Sequence, residues 1–337
     1  MSLFPTVGRK QVKVRISWWL VVAFLVFGVF MHLVPFYIMI STSIKPATEA
    51  MAMPPTLWPK EPTFAAWGLV LKLSDIAKSV LSQPLSKYFL NSMIMTFGTM
   101  ILSIPVTSLA AYAVSKLIKG RASKNLFIFF IGTMMLPGIV SLIPSFLLTR
   151  NFPFPLPVAP NIPGTDVAFP TLRIWNTYWA VIIPAGFSAG NFLLFKGYFD
   201  GIPDSIINAA RVDGGSEFNI FRRIILPMSV PVYAVVSYFT FGATWDSYLW
   251  PLVVIQDSAI APLTLAIRRI SDAFGAAGTT NPLTAVGASA GISELVSQGL
   301  SWNGLMVLGL LQAIPTFIFF IIAREYLLKG VKIQGLK

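Results

Sequence analysis

The chain has 337 residues, of which 55 % are apolar and only 11 % charged, so it is not a soluble domain, where charges make up roughly a quarter. It has no cysteine and a single histidine, His32, which excludes a disulfide framework, a thiol nucleophile and a His or Cys metal cluster. The net charge of +12 reads as basic residues gathered on one side of a membrane rather than as a nucleic-acid surface, because no basic run is interleaved with aromatics.

In chain order, the pattern predicts a cytoplasmic tail over 1–16, a first span over 17–41 and an external loop over 42–87. A core over 88–327 follows, with spans at about 88–115, 125–149, 177–197, 228–255 and 303–327 and a cytoplasmic loop over 200–227. A cytoplasmic tail over 328–337 closes the chain. A stretch of about 20 apolar residues crosses the hydrocarbon layer. Amphipathic aromatics mark the span ends, as interfacial anchoring requires: Trp18, Trp19, Tyr112, Trp175, Tyr178, Trp179, Trp302 and Tyr326. The first span is too long for a signal-peptide core and no small-residue cleavage site follows it, so it is expected to be retained.

Orientation follows from lysine and arginine. Sixteen of them fall in the N-terminal tail, the loops after spans two and four, and the C-terminal end, against nine in the opposite connections. Both termini are therefore expected in the cytoplasm. Every span contains proline, and Gly98, Ser103, Ser108 and Ala111 suit close helix packing in span two. His32 reads as a satisfied polar residue in a helix contact. Three outer stretches are long: 69–87, expected to form an extra helix; 152–170, stiffened by six prolines; and 271–301, rich in small residues and expected to touch an external partner.

The most informative stretch, IPDSIINAARVDGGSEFNIFRRIILP, runs over 202–227 between spans four and five. Pro203 and Asp204 suit a helix start, Gly214-Gly215 suits its end, and Ser216 suits the cap of a second short helix. Ile206 and Ala210 share a face of the first helix, and Phe218 and Phe221 a face of the second. Such a loop either lies on the membrane surface or docks a soluble partner. In span five Asp246 is the only acid, with a pore or gate role or a structural hydrogen bond as its alternatives. Trp245, Tyr248 and Trp250 beside it either stack on a sugar or anchor the interface.

The 202–227 stretch resembles the EAA loop of type I ATP-binding-cassette importer permease subunits, matching at Ala209, Ala210, Asp213, Gly214, Phe221, Ile224, Leu226 and Pro227. Asn208 stands where the family has glutamate, and Gly215 stands where it has alanine, a residue of similar size. Further matches point to the smaller permease of maltose-type, carbohydrate importers. They are Ser41–Pro46, Asn91-Ser92, Asn176–Trp179, Phe192–Leu194, Trp245–Leu252, Pro262–Leu265 and Tyr326–Gly330.

The resemblance implies an all-α, six-span integral membrane protein of the MetI-like permease fold in a bacterial or archaeal inner membrane. It implies a heterodimer with a second permease subunit, two copies of an ATP-binding subunit that use ATP and Mg, and an external solute-binding protein. The ATPase-coupling residues it implies are Ile206, Asn208, Ala209, Ala210, Asp213, Gly214, Gly215 and Phe221. No cofactor, metal or catalytic residue is implied. The chain has no Gly-Lys dipeptide and hence no phosphate-binding P-loop, so the motor is expected elsewhere. A secondary transporter or channel is the alternative, set back by the absence of internal repeats and of charge within five spans, where Lys196, Arg324 and Glu325 stand only at span ends. A membrane enzyme lacks clustered acid–base groups. Oligosaccharide, monosaccharide, polyol and glycerophosphodiester all stay open as solute.

Overall fold

The computed structural model describes residues 12–72, 81–154, 170–277 and 299–333, and these are helices joined by loops, with one isolated β-bridge between Phe152 and Leu172. The chain divides into two units. One comprises Met1–Leu81, Arg269–Ala313 and Gly335–Lys337; the other comprises Ser82–Arg268 and Ile314–Gln334.

In the first unit the helix Val12–Ser43 turns apolar side chains outward along its length, with Leu20 65 % and Phe24 75 % exposed. Only a hydrocarbon or protein surround makes such a surface stable. His32 donates through Nδ1 to the Gly28 carbonyl at 2.7 Å, one turn back, so it is satisfied within its own helix. The Ser41–Pro46 stretch is a buried bracket: Ser41 donates to the Leu57 carbonyl at 2.8 Å, Lys45 to that of Thr56, and Asn303 Nδ2 to the Lys45 carbonyl at 3.0 Å.

The second unit is built around the helix Leu85–Tyr112, which packs on Ala189–Asp200 and Val230–Trp245. Its buried stripe is small and polar, including Ser92, Thr96, Thr99, Ser103, Thr107 and Ser108. Small side chains let neighbouring helices approach closely. At Gly98 an added Cβ would stand 2.6 Å from Ile182 Cδ1. Phe192, Phe195, Phe199, Val232 and Val236 fill the core beside it.

Asn91 is wholly buried and donates to the carbonyls of Ala259 and Ala261 at 3.0 and 2.9 Å, while its Oδ1 accepts from Tyr178 at 2.7 Å. Asn91→Leu removes all three bonds at once. It should destabilise the protein by about 3–5 kcal/mol, since each orphaned buried group costs ~1–3 kcal/mol. A thermal midpoint in detergent equal to wild type would show that these bonds do not hold the helix.

Three expected spans are not continuous helices. The third is Gly120–Met134 followed by Leu142–Arg150, broken around Pro137-Gly138. The fourth is Trp179–Ile182 followed by Ala189–Asp200, broken around Pro184 and Gly186, with Ser188 Oγ capping the second piece by accepting from Asn191 N at 3.3 Å. The fifth is bent by 81° between Glu217–Met228 and Val230–Trp245, and broken again before Leu249–Val254. Proline removes a backbone donor, and the glycines and serines beside it accept the turns.

Among the described residues three helices are long and apolar enough to cross a membrane unaided: Val14–Ser43, Leu85–Leu117 and Trp302–Leu327. The last helix continues to Ile333, so most of the expected tail over 328–337 is helical. A short helix, Ala65–Leu71, runs into the start of 69–87, and the extra helix expected there lies largely in residues 73–80, which with 155–169 and 278–298 fall outside the described residues.

Candidate functional site

The 202–227 stretch folds as two short helices about a glycine turn, Asp204–Val212 and Glu217–Ile220, and runs on through a widened π-helical turn, Phe221–Ile225. Asp204 in the first turn and Arg211 in the last complement the helix dipole. The helix closes through Asp213 N to the Ala209 carbonyl at 3.0 Å and Gly215 N to the Ala210 carbonyl at 2.9 Å.

The two glycines serve different needs. Gly214 has φ +81°, a left-handed conformation that side chains resist, with open space around it. At Gly215 a Cβ would stand 2.8 Å from the Ala210 carbonyl oxygen, so the family's alanine is not a conservative exchange in this turn. Ser216 Oγ then caps the second helix, accepting from Asn219 N at 3.4 Å.

Side chains of Lys116 and Tyr112 tie this turn to the chain that leaves the helix Leu85–Tyr112, and Arg211 ties its two short helices to each other. Lys116, buried, donates to Asp204 Oδ1 and to the Ile202 carbonyl, each at 2.7 Å. Tyr112 donates to Glu217 Oε2 at 2.8 Å, and Arg211 Nε to Glu217 Oε1 at 2.6 Å. The Lys116 bond holds the Asp204 carboxyl below its usual range, and the Arg211 bond does the same for Glu217. Both pairs are thus intact at neutral pH and are lost only as pH falls below the ordinary carboxylate range. Arg211 Nη1 also donates to Asn208 Oδ1 at 3.2 Å. At the position of the family's glutamate, this chain offers an amide to Arg211, and Glu217 supplies the carboxylate from the other helix.

The stretch has two apolar faces. Ile207, Ile220, Phe221 and Ile225 are buried with Tyr112 and Phe199, the Phe221 ring lying 5.2 Å from that of Tyr112. Phe221, expected among the coupling residues, is buried in this core. Facing outward are Ile206, 37 % exposed, Phe218, 64 %, and Val212, 88 %. Asn208, Ala209 and Asp213 are exposed with them, and Ala210 is half-buried against the core. Sequence reasoning missed Val212; its position directly before Asp213-Gly214, where the helix ends, was the available signal.

The residues singled out in span five do not form one cluster. Trp245 is buried, stacked on Phe241 at 5.7 Å and edge-on to Phe89 at 5.4 Å, so it is a core residue. Asp246 ends its helix, exposed, and Tyr248 is exposed beyond it. Trp250 donates through Nε1 to the Ala180 carbonyl at 3.0 Å. Trp250 also lines an open cavity of about 430 Å³, together with Ser141, Ser145, Pro184, Thr244 and Ser247. Residues at or beside the breaks in the third, fourth and fifth expected spans all contribute to it.

Residues 85–332 match the family described as binding-protein-dependent transport system inner membrane component. The polygalacturonan/rhamnogalacturonan transport system permease protein of Bacillus subtilis is 27 % identical over 259 residues, covering 77 % of this chain and 79 % of that one. The sn-glycerol-3-phosphate transport system permease protein of Yersinia enterocolitica is 24 % identical over 308 residues, covering 91 % and 93 %. In structure, the chain resembles one chain of a bacterial ABC transporter involved in import of the acidic polysaccharide alginate. The TM-score is 0.71 at 20 % identity, with 94 % of this chain and 98 % of that one covered, and this establishes the shared fold.

Proposed function

Because the chain belongs to the family of binding-protein-dependent transport system inner membrane components, we propose that its 202–227 stretch is the knob by which a separate ATP-binding subunit drives the permease. The observation that carries this reading is the outward exposure of three apolar side chains, Ile206, Val212 and Phe218, on a turn braced by Lys116, Tyr112 and Glu217. Exposed apolar side chains on a braced turn suit a partner's pockets. The ATP and Mg belong to that partner, in two copies. A second permease subunit completes the translocation path, and an external binding protein delivers the solute.

The solute is a carbohydrate or a related polar molecule. The polysaccharide and glycerol-phosphate systems of the relatives support this class. The cavity at the helix breaks is the part of the path that this chain supplies, with hydroxyls at Ser141, Ser145 and Ser247 and the Trp250 ring along it. Irregular backbone inside a membrane is stable where it lines a cavity, which suits broken spans to this role. Six crossings with both termini cytoplasmic remain the topology of this reading, three of them made by the broken helices.

Purified with its neighbouring-gene partners and reconstituted, the chain should support ATP hydrolysis stimulated by the loaded binding protein. Ser145→Phe with Ser247→Phe fills the cavity without touching the knob. The expected result is solute uptake down about tenfold or more, the equivalent of ~1.4 kcal/mol at the least, with the ATP-binding subunit still recovered. Unchanged uptake would remove the cavity from the path; failure to recover any ATP-binding subunit with wild type would remove the knob.

A further inference from the structure

A second recess, of about 470 Å³, opens beside the first turn of the helix Asp204–Val212. Its lining includes Ile118, Lys119, Lys124, Phe127, Lys196 and Asp204. The acids there are already matched. Asp204 is paired with Lys116 at 2.7 Å, and Asp200 with Lys196 at 2.7 Å while accepting from Ser115 at 2.5 Å. Lys119 and Lys124 form no ion pair among the described residues. The recess therefore holds a surplus of positive charge beside the apolar side chains of Ile118 and Phe127, with the Lys196 ammonium 4.8 Å from the Phe127 ring centre. One turn on from Lys124, Ile128 is 55 % exposed on the helix Gly120–Met134.

From this arrangement we propose that the recess binds the phosphate group of an anionic phospholipid in the cytoplasmic leaflet, an acyl chain lying along Ile128. A scattered set of solvated lysines has no need of a recess or of an apolar wall continuing outward. Basic pockets between spans on the cytoplasmic side attract anionic headgroups for this electrostatic reason. The placement rests on the proposed topology. It puts the headgroup within the same charge cluster as the Lys116–Asp204 tie, so the lipid bears on the base of the knob.

The test is native mass spectrometry of the full chain purified with its partners, offered equal phosphatidylglycerol and phosphatidylcholine. Wild type should retain phosphatidylglycerol at least about fivefold over phosphatidylcholine. Lys119→Gln with Lys124→Gln should abolish that preference, and Lys124→Gln alone should reduce it. Arg121→Gln, an equal loss of charge outside the recess, should leave it unchanged. Inorganic phosphate at about 10 mM should not displace the lipid, and displacement would overturn the lipid assignment in favour of free phosphate. Equal retention by wild type and the double variant, or no preference in wild type, overturns the site. Retained lipid is read independently of transport, so an importer that docks its ATPase but shows no preference refutes only this site. A chain that shows the preference but recovers no ATPase refutes only the knob.

Discussion

Val212→Glu and Phe218→Glu should each abolish recovery of the ATP-binding subunit while leaving insertion and thermal stability as in wild type. Both side chains stand clear of the core, 88 % and 64 % exposed, so folding does not need them. In a docked complex each would enter an apolar contact. A carboxylate there must lose its water with no partner, and truncating a hot spot alone costs about 2 kcal/mol or more. We expect association weakened by about 30-fold or beyond, read by co-purification, with uptake falling in parallel. Phe221→Glu should behave differently, because Phe221 is 7 % exposed against Tyr112: that variant should misfold or fail to accumulate. If the two exposed variants recover full ATPase and transport at wild-type rate, the turn is not the coupling element.

The second large effect is expected at Gly214. Its φ of +81° lies where a β-branched residue is strained, and no atom lies within 4 Å of an added Cβ, so the penalty is conformational and not steric. The left-handed region costs an ordinary residue about 1–2 kcal/mol, and Asn less, since its side chain tolerates that region. Gly214→Asn should thus retain most uptake, Gly214→Ala should lose part of it, and Gly214→Val should lose nearly all. The Val variant should also keep its overall melting temperature, because the strained residue can open the turn without disturbing Phe199 or Ile225. Equal activity of the three would show that the reversal of the chain at this residue is not needed for coupling.

The local part of this site was legible in the sequence. Pro203, Asp204, Gly214 and Ser216 act within a few residues of themselves, and the helix, turn and cap formed where they predicted. The direction of Phe221 was not legible. It shares a face with Phe218 in a short helix, but the π-helical turn that begins at Phe221 and the rings of Tyr112 and Phe199 draw it inward. Both depend on residues far off in sequence. The ties from Lys116 and Tyr112, 88 and 105 residues from their partners, were hidden for the same reason.

Helix breaks were half legible. Pro35, Pro105 and Pro315 sit within unbroken helices, whereas Pro137 and Pro184 sit at breaks. Proline alone does not decide. What separates the two broken sites is a nearby glycine, Gly138 and Gly186, which lets the freed backbone turn away. Trp245 and Trp250 are equally aromatic and five residues apart, yet one is core and the other lines the cavity. Only the stacking on Phe241 and the bond to the Ala180 carbonyl separate them.

The most direct measurement uses the absence of cysteine from the chain. Val212→Cys introduces the only thiol of this subunit, on a side chain that the fold leaves outward. A photoreactive maleimide placed there, in the importer purified with its partners, should cross-link to the ATP-binding subunit in high yield. The same probe at Ile128→Cys, on an exposed apolar position of another helix, should not. Cross-linking at 212 to the ATP-binding subunit is expected if the turn is the coupling element. Labelling at 212 that yields only lipid adducts or no adduct, in a preparation that contains the ATP-binding subunit, would contradict it.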